Sequence, residues 1–158
     1  MPRITLTTKI AAPLETVFDL ARSVDLHVQS MGATNERAVA GRTSGLVEVD
    51  ESITWEATHF LVRQRLTVKI TQLERPSHFR DTMVSGAFRR FDHDHRFEFF
   101  ENVTTMTDQF DFDSPFEVLG HLANSLFLTK YMRKLLEERN ELIKQCAEFG
   151  DSETFLNA

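Results

Sequence analysis

The chain has 158 residues, 41% hydrophobic and 27% charged, a composition typical of one globular domain spanning residues 1–158. The formal net charge of −6 argues against nucleic acid or an anionic membrane surface as a partner, because both require clustered Lys and Arg. With one cysteine, Cys146, no signal peptide and no apolar run of about 18 residues, the sequence predicts a cytoplasmic protein without membrane insertion.

The N-terminal part of the chain predicts one strand followed by two short helices. Residues 3–10 alternate between apolar and polar side chains, which is the period of a half-buried strand. Pro13 is a favourable first residue for a helix that continues to Ala21. Ser23 is a suitable N-cap for a second helix that ends near Ser30.

The middle of the chain predicts six further strands. Several are separated by Gly, Pro or Asn, and they are placed at 36–41, 52–60, 64–74, 78–87, 91–100 and 103–113. Because no helical period interrupts them, sequential antiparallel hairpins are the simplest topology.

The last third of the chain predicts one long helix. Segment 114–117, S-P-F-E, combines a capping box with a proline at the first helical position, and Gly150 is a suitable stop after Phe149. The first half of this helix is apolar nearly all round, so it is expected to line a cavity, to form a homodimer interface, or both. The charged second half is expected to face solvent.

The chain resembles a known family in two respects: the order of its predicted elements (one strand, two short helices, six strands and a long helix) and a set of short motifs. The motifs are Ile10-Ala11-Ala12-Pro13, Val17-Phe18, Ile53-Thr54-Trp55, His59-Phe60, Pro76, Phe79-Arg80-Asp81, Met83, Gly86-Ala87-Phe88, His93-Asp94-His95-Arg96-Phe97-Glu98, Met106-Thr107-Asp108, Ser114-Pro115-Phe116 and Leu119-Gly120. In these motifs the chain resembles the START-like superfamily of birch-pollen-allergen-like proteins and lipid-transfer domains. It is most similar to the bacterial polyketide cyclase/dehydrase-like ligand-binding branch.

This resemblance implies an α+β helix-grip fold. In that fold, a seven-stranded curved antiparallel sheet, two short helices and one long C-terminal helix enclose an apolar cavity. Relatives bind lipids, isoprenoids or polyketides there, and the superfamily shares no catalytic residue set.

Strand alternation predicts which side chains face the cavity. Segments 91–100 and 103–113 each have one face rich in phenylalanine, and two histidines and an aspartate lie on those faces. The faces of segment 78–87 are ambiguous, so Asp81 is assigned to neither. The residues predicted to contact a ligand are Trp55, His59, His93, His95, Phe97, Phe99, Met106, Asp108, Phe110, Leu122 and Leu126.

A polar pair is predicted within this apolar lining. The tight turn between the last two strands gives a register that places His95 opposite Asp108, whereas a slip of two residues would pair His93 with Asp108. Opposed residues have Cβ atoms about 4.5–5.5 Å apart, which is suitable for a hydrogen bond. A buried carboxylate requires such a donor, and the pair is expected to raise the histidine pKa and lower the aspartate pKa.

Three functions are compatible with these residues. The first is binding or transport of a small hydrophobic ligand whose polar end is anchored by His93, His95 and Asp108. The second is a cyclase or dehydratase in which His95 is the acid–base catalyst and Asp108 orients it. The third is a protein-interaction domain with a vestigial cavity. A metal site would have to use His93, His95, Asp108 and His59, but their spacing matches no recognised site, so the sequence predicts no metal and no cofactor.

Overall fold

One antiparallel sheet of seven strands forms the frame of the molecule. The structure, a computed structural model, describes residues 2–114, 121–150 and 152–157, and of residues 121–124 it describes only the backbone. The strands are β1 (Arg3–Ile10), β2 (Arg37–Gly41), β3 (Ser52–His59), β4 (Val62–Glu74), β5 (His78–Ser85), β6 (Arg90–Phe100) and β7 (Val103–Asp113). Their order in the sheet is β1-β7-β6-β5-β4-β3-β2, so consecutive hairpins run from β2 to β7 and the last strand pairs with the first.

Four α-helices and one short 3-10 helix (Gly32–Thr34) accompany the sheet in the described part of the chain. The α-helices are α1 (Leu14–Ala21), α2 (Val24–Ser30), α3 (His121–Phe149) and α4 (Ser152–Leu156). The Ser23 side chain caps α2 by accepting a hydrogen bond from the backbone N–H of Leu26, and α3 ends before Gly150, whose φ is +89°. The long helix contacts β1, α1 and α2. Among the described helices, none is long and apolar enough to cross a bilayer.

Two hydrophobic clusters lie between the sheet and the helices. The first includes Phe18, Phe79, Phe97, Met106 and Ile143, and it is sealed by α1, α4 and the C-terminal half of α3. The second includes Trp55, Ile70, Phe91, Phe110 and Leu136. Along β6, the residues His93 and His95 separate the phenylalanine of one cluster from that of the other, so a polar layer lies between the two apolar regions.

The predicted architecture is confirmed, with changes at the ends of elements. β4 starts at residue 62 rather than 64, because a tight turn at Phe60-Leu61, both with positive φ, lets the β3–β4 pairing continue to its end. β5 stops at Ser85, before Gly86, rather than at residue 87. The short helix α4 was not predicted. The predicted start of the long helix falls, from residue 115 onward, outside the described residues.

Candidate functional site

A cavity of about 590 Å³ lies between the sheet and α3. This volume is within the range of about 300–1,000 Å³ that small-molecule sites occupy. The wall is mainly aromatic and aliphatic, and prominent members are Trp55, Ile70, Phe79, Phe91, Phe110 and Leu136. Such a wall favours apolar ligand groups, because it offers them dispersion contacts and removes them from water.

The polar layer forms one part of the cavity wall. Along β6, the cavity is lined by Phe91, His93 and His95, whereas Phe97 lies in the packed core beyond it. Asp81 on β5 lines the cavity at the same level. The cavity therefore combines an extended apolar surface with a buried group of ionisable side chains on β5 and β6, and other polar side chains line it elsewhere.

These ionisable groups come from three adjacent strands in register. Asp81 on β5 is opposite His93 on β6, and His95 is opposite Asp108 on β7. The hydrogen bonds run diagonally: His95 Nε2 lies 3.3 Å from Asp81 Oδ2, and His93 Nε2 lies 3.0 Å from Asp108 Oδ1. His95 Nδ1 is also 2.9 Å from Asp108 Oδ1, but it is not aligned for a hydrogen bond. Each carboxylate thus contacts both imidazoles.

The long helix completes this group from the other side. Asn140 donates from Nδ2 to Asp108 Oδ2 at 2.6 Å, and Arg139 Nη1 lies 3.5 Å from Asp108 Oδ1. Arg139 also donates to the backbone oxygen of Ala21 and to the side-chain oxygen of Asn140. We call the set Asp81, His93, His95, Asp108, Arg139 and Asn140 the polar cluster. Asp108 is at its centre and is fully buried.

Each ionisable group of the polar cluster shifts the pKa of its neighbours. Burial acts to raise the pKa of Asp108, but hydrogen bonding to the two histidines and their charge outweigh it, so the pKa lies well below its usual range. Burial acts to lower the pKa of His95, yet Asp108 and Asp81 outweigh it and the pKa is raised. The pKa of His93 is lowered by burial and by the neighbouring charge of His95. The predicted directions hold for Asp108 and His95, whereas His93 shifts the opposite way.

Comparison with known proteins identifies the fold. No protein-family model and no curated protein matches the sequence. A solved structure from Thermus thermophilus, TTHA0849, aligns with a TM-score of 0.70 at 16% identity, over 90% of this chain and 97% of its own. A START superfamily protein from Mycobacterium smegmatis aligns with a TM-score of 0.68 at 10% identity, over 92% of this chain and 96% of its own. The major latex-like protein 151 of Panax ginseng gives 0.65 at 11%, over 92% and 97%.

The chain has the helix-grip fold. The family resemblance read from the sequence motifs therefore predicted the architecture correctly. At these identities the similarity establishes the fold, and the function must be inferred from the residues of this chain.

Within this helix-grip cavity, five of the predicted contact residues line the wall. They are Trp55, His59, His93, His95 and Phe110. His59 lies away from the polar cluster, where its Nδ1 is 2.7 Å from the hydroxyl of Tyr131. The predicted register of β6 and β7 is correct, with His95 opposite Asp108, although the aligned hydrogen bond to Asp108 comes from His93.

Three predicted contact residues are buried but do not line the cavity. Phe97 and Met106 face each other across β6 and β7, and they pack in the first hydrophobic cluster beyond the polar layer. Asp108 lies behind the two histidines and is shielded from the cavity by them. Strand alternation predicted the face of these residues correctly, but not their depth along the sheet.

Two predicted contact residues are exposed instead. Phe99 is 48% exposed near the hairpin end of β6, where the described chain leaves about half of its side chain to solvent. Leu126 is 56% exposed, because the cavity-lining face of α3 carries Leu128, Tyr131 and Leu135, and a residue two positions from Leu128 lies on another side of a helix. The side chain of Leu122 is outside the described part of the structure.

Four important residues were missed by sequence analysis. Asp81 was unassigned, although its position two residues after the buried Phe79 was a usable signal. Arg139 and Asn140 were expected to face solvent because they lie in a charged segment, yet they are 4% and 2% exposed. Arg139 and Asn140 lie three and four residues after Leu136, which places them on the same buried face of α3. Tyr131, the fourth missed residue, lies three residues after Leu128 and shares that face in the same way.

Proposed function

We propose that the protein binds a small, largely apolar ligand, with one polar group, in the helix-grip cavity. The observation that carries the proposal is the 590 Å³ cavity, whose wall is mainly apolar and includes members of the buried polar cluster. The apolar body of the ligand lies against the aromatic wall, and the polar group meets Asp81 and the two histidines. Lipids, isoprenoids and polyketides have this chemistry.

The polar group of the ligand is a hydrogen-bond donor such as a hydroxyl. Asp81 is the member of the cluster that carries this preference, because its side chain is 20% exposed while Asp108 is sealed behind the histidines. A carboxylate accepts hydrogen bonds through two oxygens, and from the described residues Asp81 Oδ2 receives one bond, at 3.3 Å from His95. A donor on the ligand adds a charge-assisted hydrogen bond, which is worth about 1.5–3 kcal/mol.

The cavity volume argues against the third function considered from the sequence. A vestigial cavity would be smaller than about 300 Å³, the lower end of the range for ligand sites. The volume of 590 Å³ is about twice that limit. Ligand binding is therefore a better proposal than a purely structural or protein-interaction role.

Native mass spectrometry tests the proposal first. The protein is measured as purified, and bound compounds are then extracted with organic solvent and identified. We expect a stoichiometric apolar compound bearing a hydroxyl or similar donor. If the protein is folded but free of ligand, a panel of apolar alcohols is titrated, and a failure of every member to bind would contradict the proposal.

A matched pair of variants locates the binding site. Val68 lines the cavity and is 4% exposed, whereas Val84 lies outside it and is 61% exposed. Val68→Phe should weaken binding about tenfold, since overpacking a filled site costs about 1–3 kcal/mol. Val84→Phe makes the same chemical change and should leave affinity unchanged. Equal effects of the two variants would place the ligand elsewhere.

A second candidate function is acid–base catalysis in the same cavity. The observation that favours it is His95, which is 1% exposed, stacks on Phe79 at 4.1 Å and contacts two carboxylates. Strongly perturbed ionisable groups in a cavity are typical of catalytic sites. In this form of the cyclase or dehydratase hypothesis, Asp81 and His95 exchange protons with the ligand, and Asp108 orients the imidazole.

The variant His95→Gln separates binding from catalysis. A carrier should retain its ligand, because Gln still provides polar contacts within the cluster. An enzyme should lose about 10²–10⁴-fold in turnover of the extracted compound or its precursor. Product analysis by mass spectrometry distinguishes the two outcomes.

A further inference from the structure

We infer that Asp81, His93 and His95 form a binding site for one divalent transition-metal ion at the cavity wall. Their ligand atoms all lie within 4.8 Å of one another. All three residues line the cavity, so an ion bound between them is reachable from it. The inference needs no organic ligand and is therefore independent of the proposed function.

The donor atoms are close to the spacing that one ion requires. Transition-metal ions such as Zn²⁺ bind imidazole nitrogen and carboxylate oxygen at about 2.0–2.2 Å, so two ligand atoms on one ion lie about 3 Å apart. His95 Nε2 is 3.3 Å from Asp81 Oδ2, which already fits. His93 Nδ1 is 4.0 Å from Asp81 Oδ1 and needs to move by about 1 Å.

Asp108 supplies the outer support that such a site requires. Histidines that bind metals usually give their second ring nitrogen to a carboxylate, which fixes the ring orientation and the tautomer. Here Asp108 Oδ1 is hydrogen-bonded to His93 Nε2 at 3.0 Å. It also lies 2.9 Å from His95 Nδ1, so a small rotation of the ring would align a second hydrogen bond. Asp108 is in turn held by Asn140 at 2.6 Å. The remaining nitrogens, His93 Nδ1 and His95 Nε2, are the ones nearest Asp81.

The charge of the polar cluster also favours a cation. Asp81 and Asp108 are two carboxylates, and Arg139 supplies one positive charge beside Asp108. With both histidines neutral, the cluster has one uncompensated negative charge in a buried environment, which is energetically costly. An ion between Asp81 and the histidines supplies the missing positive charge. A proton shared within the His95–Asp81 pair is the competing solution.

The ligand set indicates the class of ion and its reactivity. Two histidines and one carboxylate bind Fe²⁺ in oxygenases, and a related set binds catalytic Zn²⁺. Three protein ligands leave at least one coordination position open, and the nearest free space is the cavity. A water molecule or the polar group of a cavity ligand fills that position. The sequence predicted no metal because the spacing of the candidate ligands matches no recognised site, and Asp81 was not among those candidates.

Metal titration without any organic ligand tests the inference. The chelator-treated protein is titrated with Co²⁺, followed by visible absorption, and with Zn²⁺, followed by calorimetry. We expect one ion per chain, with displacement of Co²⁺ by Zn²⁺. Asp81→Asn and His95→Gln should each weaken binding at least tenfold, while His59→Gln should not, because His59 lies in the cavity wall but outside the triad.

Two results would overturn the metal site. One is a folded wild-type protein, verified by circular dichroism, that binds no Co²⁺, Zn²⁺ or anaerobic Fe²⁺. The other is a set of variants that does not follow the triad, with binding that persists in a folded Asp81→Asn variant or disappears in a folded His59→Gln variant. If metals fail to bind while an apolar compound is extracted from the cavity, this inference fails and the proposed ligand-binding function stands.

Discussion

Removing the charge of Asp108 tests whether the polar cluster is an interdependent unit. Asp108 is fully buried and receives contacts from β6 and from α3. In Asp108→Asn the side chain keeps its size, but the negative charge between Arg139 and the histidines is lost. Arg139, which is 4% exposed, then remains as a buried cation beside a neutral amide.

The expected cost follows from this burial. Breaking a buried ion pair by neutralising one partner usually costs about 3–5 kcal/mol, because the other charge stays in a poorly solvating environment. A domain of this kind has a free energy of unfolding of about 5–15 kcal/mol. With a urea m value of about 2 kcal/mol/M, the unfolding midpoint should fall by about 1.5–2.5 M.

Urea unfolding followed by circular dichroism measures this cost against a matched control. Asp111→Asn makes the same change on the same strand, but Asp111 faces outward and pairs with Arg3 and Arg90 at the surface. The control should lose about 0–1 kcal/mol. Equal losses in Asp108→Asn and Asp111→Asn would refute the reasoning. The double variant Asp108→Asn/Arg139→Met should recover part of the loss, since it removes both buried charges.

Two further predictions concern stability outside the polar cluster. Although burial acts to raise it, hydrogen bonds from Arg80 and His78 lower the pKa of Asp94 to about 2. The stability that this carboxylate contributes is therefore present above about pH 4 and is lost as pH falls toward 2, so Asp94→Asn should flatten the decline of the urea midpoint over that interval. Ser23→Ala removes the N-cap of α2 and should cost about 1 kcal/mol of unfolding free energy in the same assay, an effect that Ser30→Ala should not reproduce.

The sequence predicted the strands well because their alternation is clear where one face is strongly apolar. In β7, every second residue is buried, and the polar residues between them leave no ambiguity about the face. β5 lacks this contrast, since polar side chains occur on both of its faces. The contrast between the two faces of β5 therefore did not assign Asp81, and the pairing of β5 with β6 places it opposite His93.

The alternation of apolar and polar residues along a strand predicts which side chains face inward. It does not predict whether an inward side chain lines the cavity or packs in the core. Phe91 and Phe97 have the same residue type and lie on the same face of the same strand, yet only Phe91 lines the cavity. The difference arises because the first hydrophobic cluster, which includes Phe18 of α1 and Phe155 of α4, fills the space beside Phe97. Such packing depends on residues far apart in the sequence, and no local period reports it.

The polar part of the site follows from the requirement that buried charges be compensated, and no short motif identified it. A buried aspartate needs donors, and together with the register of the last two strands this requirement led from Asp108 to a neighbouring histidine. In the folded chain, the second carboxylate of the polar cluster has the same requirement for compensation. Arg139 and Asn140 satisfy Asp108 from the helix, but the second carboxylate, Asp81, adds a negative charge that they do not reach with a hydrogen bond. The polar cluster therefore requires one more cation, and whether a proton or a metal ion supplies it determines which chemistry this cavity can perform.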